Sequence, residues 1–169
     1  MAARITRTLS APCITSSIPM KTHLEAIVAA FPRTKVAPDE ILGIPPESFD
    51  YQRHMGGKDW ASVPDQIYER NTDAFILMSP ETLKFFIAGY LRVACSTTNS
   101  LSAESLIYAA TNGDHLGKLC EVLTSEQVAC VFDAAEFVYL QNCGDDDDKE
   151  FELIRQRRSE MLLPKENRG

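Results

Sequence analysis

Four consecutive carboxylates, Asp145, Asp146, Asp147 and Asp148, followed closely by Glu150, form the densest run of ionisable side chains in this 169-residue sequence. A run of this kind can draw in a basic protein surface. Divalent-cation chemistry fits it poorly, because a calcium loop alternates its oxygen ligands with other residues and bends at a glycine. The plainest role for such acids is to complement the positive end of a helix that starts there. Asp133 and Glu136 stand three residues apart in an apolar-periodic stretch, so a helix places both carboxylates on one face. With no histidine nearby in sequence they read as surface charges rather than as an acid–base pair. A second set of candidates lies in a proline-rich stretch: Phe49, Tyr51, His54 and Trp60, the last being the sole tryptophan. Aromatics of this size either lid a core or present a loop to a partner or ligand.

Established catalytic signatures are absent from the chain. It has no G-x-G-x-x-G, no Walker A loop, no G-x-S-x-G and no H-E-x-x-H. The five cysteines, Cys13, Cys95, Cys120, Cys130 and Cys143, are odd in number and form no C-x-x-C pair. Together with the scattered His23, His54 and His115, they offer no zinc-type spacing, and they read as reduced thiols of a cytoplasmic protein. No catalytic, cofactor-binding or metal-binding residue is assigned, and no cofactor is expected. Acids outnumber bases 24 to 17, a net charge of −7, which argues against nucleic acid as a partner. No apolar run reaches the roughly 20 residues of a membrane span.

These candidates need elements to position them. Met20, Leu24, Ile27, Val28 and Phe31 recur at helical spacing up to Pro32. Residues 32–66, with five prolines and Gly56-Gly57, read as a long irregular connection that is either partly ordered or functional. After the apolar run Phe75–Met78, Ser79 is an N-cap, Pro80 a first helical residue and Glu81 a first-turn acid. Leu83, Phe86, Ile87, Tyr90, Leu91 and Ala94 then form a core face. A shorter helix follows over 101–111, stopped at Asn112-Gly113, and a short turn over 115–123. Thr124 and Gln127 form a capping box for a helix carrying Val128, Val131, Phe132, Ala135, Val138 and Tyr139 inward and closing at Gly144. The last helix has a stripe of Phe151, Ile154, Met161 and Leu162 that Arg158 interrupts. The expectation is an all-α protein: a compact bundle of about five helices, in one domain over 19–163, with poorly ordered segments at 1–18 and 164–169. The Arg-, Ser- and Thr-bearing N-terminus is also compatible in composition with a transit peptide.

Three stretches, "FILMSPETLKFFIAGYLRVAC" (75–95), "LTSEQVACVFDAAEFV" (123–138) and "IVAAFP" (27–32), together resemble a family of uncharacterised bacterial proteins, a domain-of-unknown-function family. It is marked by a Ser/Thr-Pro-Glu helix with aromatic pairs and a later Leu-Thr-x-Glu-Gln helix. The chain departs from it at Ile87-Ala88-Gly89, where a Leu-Pro-small triplet is common. The resemblance implies a helical fold and transfers no catalytic residue. The resulting expectation is a non-catalytic, cytoplasmic protein-binding module, by analogy an immunity or accessory protein. Its basic partner meets Asp145–Asp148, Glu150, Asp133 and Glu136. Two alternatives are a ligand binder or enzyme with a pocket under the 49–60 loop, and a structural subunit or homodimer.

Overall fold

The computed structural model describes residues 19–112, 114–142 and 148–163, with the side chain of His115 left aside. The segments 1–18 and 164–169, the stop residues Gly113 and Gly144, and Asp145, Asp146 and Asp147 lie outside the described residues. The protein is all-α. The described residues form α1 (Met20–Ala30), a 3₁₀ turn (Pro38–Glu40), α2 (Glu47–Met55), α3 (Asp65–Arg70), α4 (Ala74–Leu77), α5 (Pro80–Ser96), α6 (Leu101–Asn112), α7 (Asp114–Val122), α8 (Ser125–Asn142) and α9 (Lys149–Leu162). A single antiparallel bridge joins Gly43 to Met78. The described residues hold nine helices rather than about five, because the stretch expected to be irregular and its continuation contribute the short α2, α3 and α4, and the turn expected over 115–123 is the helix α7.

The two long helices follow from their caps and stripes. Ser79 Oγ accepts the Thr82 amide at 3.3 Å ahead of Pro80. Thr124 and Gln127 exchange reciprocal side-chain-to-amide bonds at 3.2 and 3.1 Å. Every inward residue expected on α5 and α8 is buried. Helix α5 touches α1, α3, α6, α7 and α8, and α8 also packs on α1, α6 and α9. Their stripes therefore meet in one core, where removing a large side chain such as Phe86 or Phe132 would cost about 3–5 kcal/mol. Helix α1 is rotated from its expected setting. His23 and Ile27 face inward with Phe31 just beyond, while Met20 and Val28 are exposed. Met20 stands at the first residue of the helix and Val28 at the far edge of the expected stripe, and the face centred on 23 and 27 is the one that meets α5 and α8.

Residues 32–66 are ordered by side-chain hydrogen bonds rather than by a hydrophobic period. Asp59 is nearly buried. It takes two bonds from Arg33 at 3.1 and 3.2 Å, the amides of Ala61 and Ser62, and the Ser62 hydroxyl. Burial raises the Asp59 carboxyl. The bonds from Arg33, Ser62 and the Ala61 amide, with the charge of Arg33, outweigh it and hold the group below its ordinary 3.8. Arg92 of α5 reaches back to the carbonyls of Ala61 and Val63 and to the carboxylate of Asp65.

Candidate functional site

Of the sequence-derived acidic residues, Asp133, Glu136, Asp148 and Glu150 are described, and they lie on α8 and at the start of α9. Asp133 and Glu136 do share a face of α8, and Arg158 of α9 sits between them, pairing with Asp133 and with Glu136 at 3.0 Å. The residue that interrupts the α9 stripe thus serves as an internal counter-charge for both acids. Asp148 is the N-cap of α9 and accepts the Glu150 amide at 3.0 Å. That bond, with a side-chain bond from Tyr139, holds its carboxyl below the ordinary value. Glu150 is exposed in the first turn of the same helix. These acids complement helix and bundle, and of the four described Asp148 and Glu150 are exposed while Asp133 and Glu136 are partly buried.

The aromatic loop divides. Tyr51 and Trp60 are in the core. The Tyr51 hydroxyl donates to Asp73 at 2.9 Å, and the Trp60 indole donates to the Phe31 carbonyl at 3.3 Å. Burial first, and the Asp73 contact next, push the Tyr51 hydroxyl far above its ordinary 10. His54 is half-buried and Phe49 exposed. The loop is therefore seated on the core by its two buried rings, and the cavities described below are lined by other residues.

Thiol and metal chemistry find little support among the described residues. Cys95, Cys120 and Cys130 are buried and outside any disulfide. Burial lifts the Cys95 thiol to about 12 and the Cys130 thiol to about 11, the reverse of an activated nucleophile. Cys130 lines a cavity of about 260 Å³ between α1 and α8 together with His23, Glu126 and Asp133. His23 stacks on Phe137 with ring centres 4.3 Å apart. Burial lowers its pKa, and the nearby Asp133 carboxylate only partly opposes that. No group of three or more His, Cys, Asp or Glu side chains among the described residues is arranged to hold a metal. Likewise, no described helix is long and apolar enough to cross a membrane.

A different surface emerges around α4. One cavity of about 330 Å³ lies between α4 and α6, lined by Phe75, Ile76, Glu104 and Tyr108 among others. A second, of about 440 Å³, lies between the Leu42–Ile44 segment, α4, the start of α5 and α7, where Lys118 stands. The two adjoin at the shared Phe75 and Ile76, and the pair is termed the trough. Its wall is fixed by backbone contacts. Ile44 donates to the Leu77 carbonyl at 2.8 Å and Ser79 to the Leu42 carbonyl at 3.0 Å. The Thr82 hydroxyl accepts the Leu42 amide at 2.9 Å. Gly43 makes this approach possible, since a Cβ there would stand 2.8 Å from the Leu77 carbonyl oxygen. Sequence reasoning did not find this surface. "FILM" is uniformly apolar, and only the fold turns Phe75 and Met78 inward and leaves Ile76 out.

No family model, no curated protein and no solved structure matches this chain. The resemblance of the three stretches rests on those motifs alone, and no family is assigned.

Proposed function

We propose that this chain is a non-catalytic protein-binding module that docks its partner through the trough around Ile76. One observation carries the reading. Of ten exposed large apolar side chains among the described residues, Leu42, Ile44, Ile76 and Tyr108 converge on the two adjoining cavities instead of scattering singly. Scattered apolar side chains need no explanation, whereas a contiguous patch marks an interaction site. The raised thiols and the internally paired Asp133 and Glu136 support a non-catalytic role. The net charge of −7 favours a partner of net positive charge, acting on encounter rate at long range.

The test compares the wild-type chain with Ile76→Asp as baits in the native cell extract. Ile76 is 43% exposed, so the change leaves the core untouched. A partner retained by the wild type and lost by the variant, at unchanged helix content, is the expected result. Identical partner sets for both baits would end the proposal.

A further inference from the structure

Resting on that reading, we infer that the trough takes an amphipathic α-helix of a partner protein. This helix carries one basic and one acidic side chain beside its apolar stripe, the first for Glu104 and the second for Lys118. The backbone along the trough argues against an added strand. Leu42 already uses its amide on Thr82 and its carbonyl on Ser79, and Ile44 uses its amide on Leu77 and its carbonyl on Ser48. At most Gly43 is left to pair, and strand addition draws its affinity from a ladder of main-chain bonds. A helix satisfies its own backbone and needs only hollows for side chains one turn apart. Two hollows of about 330 and 440 Å³ that adjoin at the shared Phe75 and Ile76 offer room for apolar side chains of such a helix.

The charges set the second requirement. Glu104 lines one hollow and Lys118 the other. Both are exposed, and neither forms an ion pair within the described residues. A uniformly basic helix gains at Glu104 and is repelled at Lys118, and a uniformly acidic one meets the reverse. A helix of mixed charge satisfies both hollows.

The experiment uses the full chain and labelled synthetic helical peptides sharing one leucine stripe. Their stripe ends carry Lys and Glu in either order, Lys at both, or Glu at both. A fifth peptide has the composition of a mixed one with the stripe shuffled. Binding is read by fluorescence anisotropy at low salt. We expect one of the mixed orders to bind most tightly, by roughly two- to fivefold over either uniform peptide, as befits exposed ion pairs. The shuffled peptide should not bind, Ile76→Asp should abolish binding, and Glu104→Gln should erase the preference over the all-Glu peptide. Tightest binding by the all-Lys peptide would show attraction to net charge alone and overturn the inference. Binding that survives Ile76→Asp would overturn it too, as would self-association of the chain that Ile76→Asp removes. If no peptide binds while the cell-extract partner is still lost on Ile76→Asp, the helix falls and the docking reading stands.

Discussion

Gly89 shows how much of the packing rests on one missing side chain. It lies on the buried face of α5, where a Cβ would stand 1.9 Å from the ring of Tyr68. Tyr68 cannot simply swing aside, because its hydroxyl donates to the Trp60 carbonyl at 2.7 Å and its ring meets Tyr90 edge-on, with centres 4.7 Å apart. The glycine before Tyr90-Leu91 thus has a cause: α3 approaches α5 through that gap. Gly89→Ala should lower unfolding free energy by about 1–3 kcal/mol, measured by urea denaturation. With Tyr68→Ala in the background, the added methyl has room and the further loss should largely vanish, since touching residues do not add independently. Equal losses in both backgrounds would refute the steric account.

Among the elements, α5 and α8 were readable from sequence because each carries its own cap and a stripe long enough to set a phase. The shorter α2, α3 and α4 were not. What orders them is remote in sequence: Arg33 on Asp59, Arg92 on the 61–65 segment, Tyr51 on Asp73. None of these pairings leaves a local period. The trough was hidden for the same reason, since whether Ile76 or Tyr108 faces water depends on which element stands opposite. The charged residues were legible as chemistry but not as partners, because Arg158 lies 22 positions from Glu136. Two outcomes follow at this scale. Thr82→Val keeps the shape but removes the acceptor for the Leu42 amide. Stability should fall by about 1–3 kcal/mol, and peptide affinity at the trough should fall with it. Arg158→Ala leaves two carboxylates facing each other across one turn of α8. It should cost on the order of 1 kcal/mol for these partly exposed groups. Urea midpoints in low and high salt check the second case, because screening should shrink that loss.

Across the whole molecule, the helices enclose a core whose titratable members sit at different depths, and acid acts on them in sequence. His23, pressed on Phe137 between α1 and α8, resists protonation when folded, so its pKa lies below the ordinary 6.5. As pH falls through 6.5 the unfolded chain takes up this proton first, and folding stability declines with it. Of the charged groups lining its cavity, Asp133 draws the proton in, but Arg158 neutralises that carboxylate from α9. Asp59 acts later and from the opposite chemistry. Its folded pKa lies below 3.8, so its contribution is present above that value and is lost only as pH drops through the folded one. Of these two groups, His23 and not the Asp59 hub therefore contributes acid sensitivity between pH 7.5 and 5.5. Urea midpoints at those two pH values should fall in the wild type and fall less in His23→Gln. His54 and His115 are common to both proteins, so the difference isolates His23, and an identical decline in the two would exclude it as the source.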